Sequence, residues 1–586
     1  LAALLSAALP AAAQEARLIA PGAPEALADR LRGASLVLAT LAEGPVPASD
    51  VMAAARADYG RLLGALYAEG RYSGVISIRV DGREAAEVPV LDDPERIARI
   101  EISVDPGPPF TFSRAEIEPL APGTVLPQGF APGRPAPTGV ISEAAQAGVD
   151  GWRDVGHAKA ALAGQAISAD HAAATLDARL TLAPGPRLRF GPLTVSGNAR
   201  VRTERIRAIA GLPEGEVFSP AELRRAAERL RRTGAFRSVT LTEAETPGPG
   251  DLLPIAALLD EEKPRRIGFG AEVSSSEGLR LSGYWLHRNL LGGAERLRFD
   301  GEIAGIGGET GGEDYSLAVS FARPASFTPD TALTLDASAE TLAEPDYDIT
   351  AFEFGGGLTH VFSDRLSGAA ALSYRQSRVE DAAGITDFRV LALPVSLTWD
   401  GRDDRLNPAA GLYLEAEAAP FLGLDATGSG LRLTADARAY RGFGAEDRVV
   451  LAARLQLGAV YGPGLADTPR DYLFYSGGGG TVRGQPYQSL GVTALPGGVR
   501  SGGQRFLGLQ AELRARVTEK IGVVAFADWG YVAAEDWGDG FDGSHAGAGL
   551  GLRYDTGIGP IRLDVAAPVS GGGDGVQIYI GIGQSF

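Results

Sequence analysis

Five histidines, His157, His171, His287, His360 and His545, are scattered along the chain without the His-Glu-x-x-His spacing that gathers metal ligands on one helix face. Cysteine is absent, which excludes thiolate nucleophiles, thiolate zinc sites, iron–sulfur clusters and disulfides. The Gly-x-Ser-x-Gly elbow of serine hydrolases is missing too. The run Gly477 to Gly480 is similar to a phosphate loop but lacks the Lys-Ser/Thr ending, and Asp400, Asp403 and Asp404 in WDGRDDRLNPAAG lack the EF-hand order. The latter reads as a polar hairpin turn. The expectation is therefore a protein that is not an enzyme and needs no cofactor or metal. One arginine offers a different chemistry. Glu512 and Asp528 each lie on the polar parity of an alternating segment, and Arg483 sits in the glycine-rich stretch SGGGGTVRGQPYQSLG between alternating segments. A planar guanidinium donates to two carboxylates at once, so a loop arginine entering the same polar space can clasp both.

The segments that would position these groups fill the second half of the 586-residue chain. In QRFLGLQAELRARV, Leu507, Leu509, Ala511, Leu513, Ala515 and Val517 alternate with Gln510, Glu512, Arg514 and Arg516. LRLTADARAY sets Leu431, Leu433, Ala435, Ala437 and Ala439 against Arg432, Thr434, Asp436 and Arg438, and Arg562 and Asp564 fall between Ile561, Leu563 and Val565. One oily and one charged face per strand suits a closed barrel in lipid, with a polar lumen. From Lys263 to Phe586, at about 20 residues per strand and connection, the pattern predicts a transmembrane antiparallel β-barrel of roughly 16 strands. Its last segment carries Val576, Ile578, Ile580, Ile582 and the terminal Phe586 on one parity, broken by Gln584. No apolar run reaches the length of about 18 residues that a helical span requires. Residues 1–13, LAALLSAALPAAA, read as part of a signal peptide. With 73 acidic against 55 basic side chains, a net charge of −18 and no basic block, nucleic acid is not an expected partner.

The first half mixes helical and strand periods and contains a weak repeat. Leu66, Trp152 and Leu230 each stand four residues before a glycine, Gly70, Gly156 and Gly234. In the third copy Ser219 caps a helix, Pro220 takes its first position, Glu222 closes a capping box, and Gly234 ends it. A short strand follows the glycine in the first and third copies, at Val75, Ile76 and Ile78 and at Val239 and Leu241. The spacing implies three α+β modules, 24–107, 108–186 and 187–262, ahead of a barrel at 263–586.

The segment carrying Val482, Arg483 and Gly484 resembles the inward-folded loop motif of the outer-membrane assembly barrels, the BamA and TamA superfamily. WLHRNLLGGAERL, VAFADWG with Asp528, and GAGLGLRYDTGIGPIRLDVAAPV are similar to other motifs of that family, in the same order. The three modules resemble its POTRA domains, and their number favours the TamA branch over the BamA branch, which usually carries five, and the two-partner-secretion transporters, which carry two. The resemblance implies a Gram-negative outer-membrane protein with its modules in the periplasm, outer-membrane clients such as autotransporters, and a TamB-type inner-membrane-anchored periplasmic partner. It also implies the same clasp of Arg483 with Glu512 and Asp528. The chain departs from the motif at Gln485, where an aromatic is usual, with Tyr487 the aromatic nearest by. Paired glycines in the first and last barrel strands weaken packing there, so Gly268, Gly270, Gly581, Gly583 and Phe586 are the candidates for a lateral gate that templates a client strand. A BamA-type insertase, a two-partner-secretion transporter and a passive porin are the competing readings.

Overall fold

The computed structural model describes residues 15–586 except 43, 45, 90–95, 275–277, 309–311, 426, 539–542, 558 and 574. The expected signal segment lies outside the described residues. The chain clusters into two compact units, one of Leu1–Pro192, Pro213–Arg224 and Glu243–Ile255, the other of Leu193–Leu212, Arg225–Thr242 and Ala256–Phe586.

Three small sheets occupy the first half. The first orders Glu15–Ile19, Arg99–Asp105, Val75–Val80 and Arg83–Glu84 side by side. Its long helix Ala48–Ala68 buries Val51, Met52, Ala55, Leu62 and Leu66 in a core shared with Ile78, Ile100 and Ile102. That helix also buries Asp58, which accepts from Ser35 Oγ at 2.6 Å and from the Leu36 and Val37 amides, satisfying the open N-terminus of helix Leu36–Ala42. Glu15–Ile19 runs parallel to Arg99–Asp105, so the first sheet begins upstream of the boundary expected at residue 24. A five-residue parallel edge strand has no local partner for a sequence reading to find.

The second sheet orders Thr111–Glu118, Thr175–Ala183 and Ala161–Asp170, and the third Arg189–Ser196, Leu252–Glu261 and Phe236–Glu243. The three repeat glycines share one job. Helices Ala48–Ala68, Thr138–Asp154 and Pro220–Arg232 each end two residues before Gly70, Gly156 or Gly234, whose φ values are +69°, +104° and +67°. Left-handed backbone at that point closes the helix and suits glycine. The second copy also continues into a strand, Ala161–Asp170, missed in the sequence because an edge strand exposed on both faces shows no alternation.

The second half is a closed antiparallel barrel. Its strands are β1 (Arg265–Ser274), β2 (Gly278–His287), β3 (Arg296–Ile306), β4 (Asp314–Arg323), β5 (Thr331–Ala343), β6 (Tyr347–Val361) and β7 (Leu366–Asp381). Next come β8 (Gly384–Ala392 with Val395–Asp400), β9 (Gly411–Leu424), β10 (Gly430–Phe443), β11 (Val449–Tyr461) and β12 (Arg505–Arg516). β13 (Ile521–Ala533), β14 (Ser544–Tyr554), β15 (Ile561–Ser570) and β16 (Gln577–Ile582) complete it. Both parts of β8 pair with β7 and β9. Pro394 interrupts the strand because it has no N–H to give the ladder, so the barrel has 16 strands.

The alternation has the sense that lipid requires. Leu509, Leu513, Ile578, Ile580 and Ile582 stand exposed on the outside, while Gln510, Glu512, Arg514 and Asp528 are buried inside. No helix among the described residues is long and apolar enough to cross a membrane.

Candidate functional site

The loop between β11 and β12, residues 462–504, folds into the lumen. Arg483 on it is 1 % exposed. Its Nε and Nη2 donate to the two oxygens of Asp528 at 2.7 and 2.9 Å, and its backbone N–H donates to Asp528 at 3.1 Å. Nη1 donates to Glu512 at 2.6 Å and to Asp564 at 3.4 Å. The guanidinium carbon lies 3.6 Å from the ring centre of Phe526, a cation–π contact in a desolvated site. Burial opposes the charge, but the Asp528 hydrogen bonds and the nearby carboxylates outweigh it and lift the Arg483 pKa.

Close approach of backbone to backbone puts Arg483 there. Gly484 has φ +90°, and a Cβ on it would stand 2.6 Å from the Ala567 carbonyl oxygen. A Cβ on Gly547 of β14 would strike the Arg483 carbonyl oxygen at 1.9 Å. The Gly484 N–H donates to Tyr579 Oη of β16 at 3.2 Å, and Val482 is fully buried. Gln485, at the departure from the motif, donates to the carbonyls of Ala546 and Ser570 at 2.8 and 2.7 Å. Tyr487 does not take that place; its hydroxyl lies 3.4 Å from Glu344, beyond the end of β5. Hydrogen bonds to β14 and β15 thus replace aromatic packing at residue 485.

Sequence reasoning brought Glu512 and Asp528 to Arg483 but not Asp564, nor Arg514 and Arg553, which pair with Glu512 at 2.8 Å and Asp564 at 2.5 Å. The signal was present, since Asp564 and Arg514 stand on the polar parity of their strands; which strand lies within reach of the loop was not. The loop is held on a second wall as well. Arg470 pairs with Asp381 at 3.1 Å, Asp471 with Arg375 at 2.6 Å, and Arg500 with Asp346 at 2.6 Å. Arg375 also pairs with Glu340 and Glu353.

At the junction of the first and last strands, the described residues of β1 and β16 share two residue pairs, Val273 with Ile580 and Ser274 with Tyr579. Gly268 and Gly270 lie outside that stretch, against β2. The Tyr284 ring covers Gly268, where a Cβ would be 2.3 Å from it, and Ser282 Oγ stands 2.6 Å from a Cβ on Gly270. Gly581 pairs with Arg562 on β15. Phe586 does not share the lipid face of Ile578 and Ile580. The strand stops at Ile582, Gly583 turns at φ +93°, and Phe586 is buried with Tyr440 and Ala452. Parity fails once a left-handed residue breaks the strand.

Residues 202–210 and 225–232, in the same compact unit as the barrel, hold the turns between β2 and β3 and between β4 and β5. Arg229 and Arg232 each pair with Asp330 at 2.6 Å, Arg205 donates to the Pro324 carbonyl, and the Arg202 N–H donates to the Gly292 carbonyl at 2.9 Å.

The family model of the Omp85 superfamily domain matches residues 289–586, half of the chain. The chain belongs to the Omp85 superfamily. A second model, POTRA (surface antigen variable number repeat), matches residues 188–261, the third sheet and its helices. Among Omp85-type relatives, the outer membrane protein assembly factor BamA of Nitratidesulfovibrio vulgaris is 25 % identical over 423 residues, covering 69 % of this chain and 51 % of the relative. The chain thus spans about half the length of that relative. The crystal structure of BamA from Haemophilus ducreyi lacking POTRA domains 1–3 superposes with a TM-score of 0.62 at 18 % identity, over 81 % of this chain and all of that one. CdiB from Acinetobacter baumannii gives 0.52 at 14 % identity, over 82 % and 90 %. These two likenesses concern the fold. An Omp85 barrel with an oily exterior places this chain in the outer membrane.

Proposed function

We propose that this Omp85 protein is an assembly factor of the TamA type, which inserts or translocates client proteins such as autotransporters through a lateral opening between β1 and β16. The observation that carries this reading is that, among the described residues, Arg265 to Glu272 of the first strand stand without a register partner on the last. A client strand entering hydrocarbon leaves every unpaired backbone group several kcal/mol worse off. A catalyst of insertion must lend it a hydrogen-bonding edge. The proposed opening therefore exposes an edge of which Arg265 to Glu272 are already without a partner on β16 among the described residues.

In this reading the three sheets are POTRA modules at 24–107, 108–186 and 187–262 in the periplasm, the first extended upstream by Glu15–Ile19, and Arg483 with Glu512 and Asp528 fixes the loop that keeps the lumen filled. A porin would need an open lumen, whereas the 462–504 loop is ion-paired to two walls of this one. The TamB-type partner and the TamA branch rest on the number of modules.

Because the chain contains no native cysteine, a Val273→Cys/Ile580→Cys pair, on register partners, is a clean lock. Oxidation should stop client insertion into liposomes and reduction should restore it; normal insertion by the oxidised protein would reject the lateral opening. Purification from the outer membrane in mild detergent addresses the branch. A long periplasmic protein with one N-terminal membrane anchor is the expected companion, while several small lipoproteins would favour the BamA type and one large secreted client the two-partner-secretion type.

A further inference from the structure

Along the outer parity of β1 to β4 the oily band ends in cations. Ile267, Trp285, Phe299 and Val319 face one another across the ladder, and Arg265, His287, Leu297 and Phe321 form the next row toward the end where the chain enters the barrel. Arg323 lies two residues beyond Phe321 and is exposed. On strands tilted by about 40°, two residues carry a side chain about 5 Å toward the rim. Arg265 and Arg323 therefore stand where hydrocarbon gives way to lipid headgroups.

Arg202 and Arg205 join Arg323 from the segment ahead of the barrel. Arg202 Nε donates to the Gly292 carbonyl at 3.2 Å, and Arg205 donates to the carbonyls of Pro324 and Ala325. A backbone carbonyl leaves the charge of a guanidinium uncompensated, whereas the luminal Arg298, Arg375, Arg438 and Arg454 each hold a carboxylate. Arg205 Nε has no acceptor among the described residues. Burial, and after it the charges of Arg323 and Arg202, lower the Arg205 pKa, with Glu295 pulling the other way. Glu295 is itself buried and accepts from the amides of Leu291 and Gly293 at 3.2 and 2.7 Å. Three guanidiniums around one buried carboxylate are a local positive excess in a chain whose net charge is −18.

Oily side chains are displayed at the same place. Leu291, next to the Gly292 that Arg202 holds, is 64 % exposed, and Phe327, in the turn that Arg205 holds, is 88 % exposed. Ala325 and Phe327 have φ values of +47° and +74°, backbone that a bulky residue seldom adopts. The turn keeps this conformation because it is gripped at both ends, by Arg205 at Pro324 and Ala325 and by Arg229 and Arg232 at Asp330. Strain of this kind persists where the surroundings impose it and clusters at sites of use.

We propose that Arg202, Arg205 and Arg323, with Leu291 and Phe327 beside them, bind the headgroup of an anionic phospholipid in the leaflet at this end of the barrel, the periplasmic leaflet in the reading above. The guanidinium forks take the phosphate, and Leu291 and Phe327 enter the boundary between headgroups and acyl chains. A bilayer fits better than an acidic protein because Arg323 shares the lipid-facing parity of Phe321 and the cations are flanked by exposed oily residues. Such a site pins the β2–β3 and β4–β5 turns, and residues 202–210 that hold them, to the membrane surface.

The test uses the full chain in nanodiscs of equal phosphatidylcholine and phosphatidylglycerol. Lipid that stays with the protein after transfer to mild detergent is identified by mass spectrometry, and the folded barrel is checked by its heat-modifiable gel mobility. The parent should retain phosphatidylglycerol in preference to phosphatidylcholine. Arg202 and Arg323 are exposed, so Arg202→Gln and Arg323→Gln should fold normally and each weaken that retention about fivefold, the weight of one basic residue at an anionic surface. Arg441→Gln, an exposed arginine on the outer parity of β10, should change nothing. A fluorophore on Ser326→Cys, in a chain with no native cysteine, should be quenched by brominated acyl chains, and Phe327→Ser should remove the quenching. Equal retention of the two lipids by the parent would overturn the site, as would a loss in Arg441→Gln as large as in Arg323→Gln. Displacement of phosphatidylglycerol by a soluble acidic peptide at equal charge would assign the surface to a protein and overturn the lipid. An unquenched label on the parent would overturn the entry of Phe327 into the bilayer.

Discussion

β6 and β7 share fifteen residue pairs, whereas the described residues of β1 and β16 share two. The contrast shows two ways of closing a sheet. Along β6 and β7 closure is a property of the backbone: each residue adds a ladder bond whatever its side chain, and the long strands leave little to chance. At the junction Arg265 to Glu272 have no register partner on β16 among the described residues, and named side chains add to the closure, Arg562 with Glu272 and the buried tail. A backbone ladder is hard to open and close in stages. Ion pairs and one aromatic plug can be exchanged singly, which suits the lateral opening proposed above.

The largest effect that would test this contrast lies at the clasp. Arg483→Ala strands Asp528 and Glu512 in a desolvated site, and breaking a buried pair by removing one partner costs about 3–5 kcal/mol. The expected outcome is loss of the heat-modifiable gel mobility of the folded barrel at temperatures the parent survives; unchanged mobility would mean the loop is held by its other wall alone. The same change at Arg280, whose pair with Glu302 is half exposed, should cost under about 1 kcal/mol.

Next come two glycines that separate ladder from junction. A Cβ on Gly357 of β6 would meet the Ala370 carbonyl oxygen at 2.4 Å, a backbone atom that cannot move without the strand. At Gly581 the obstacles are the ends of Arg562 and Glu272, at 3.1 Å or more. Gly357→Ala is therefore expected to lower the melting temperature of the whole barrel by several degrees, of the order that about 1–3 kcal/mol of overpacking produces. Gly581→Ala should leave melting nearly unchanged and slow only the Val273→Cys/Ile580→Cys cross-link. Equal melting shifts would erase the distinction.

The smallest effect concerns the hold of residues 225–232 on the turn between β4 and β5. Burial would raise the Asp330 pKa, but the hydrogen bonds and charges of Arg229 and Arg232 outweigh it and hold it below the ordinary carboxylate range. A depressed folded pKa contributes stability above the unfolded value, about 4. That contribution is lost as pH falls through the folded value. Asp330→Asn should cost about 1 kcal/mol at neutral pH and nothing at a pH below both values. Protease protection of the 225–242 segment, followed from neutral to acid, measures it; a difference that persists in acid would assign the contact to shape rather than charge.

Much of the barrel was legible because period-two alternation is a local property. Oily residues at Leu509 and Leu513 and buried charges at Glu512 and Asp528 follow from the same count along each strand, and the strand number follows from length. The clasp was half legible for the same reason. Parity names every side chain that points inward but not which strands curve close enough to share a guanidinium, so Asp564, Arg514 and Arg553 escaped. The tail was misread where parity was carried past Gly583. Gln485 was seen as a departure without its remedy, since its acceptors are backbone carbonyls on β14 and β15 and carry no sequence signature.

The sequence by itself determined the membrane-facing pattern, the absence of cysteine chemistry and the three helix-ending glycines, because each depends on neighbours a few residues apart. Only the tertiary structure decided the junction. How far β1 and β16 overlap, and whether Phe586 faces lipid or lumen, depend on how sixteen strands stagger as they close, a sum over the whole barrel that no local pattern records.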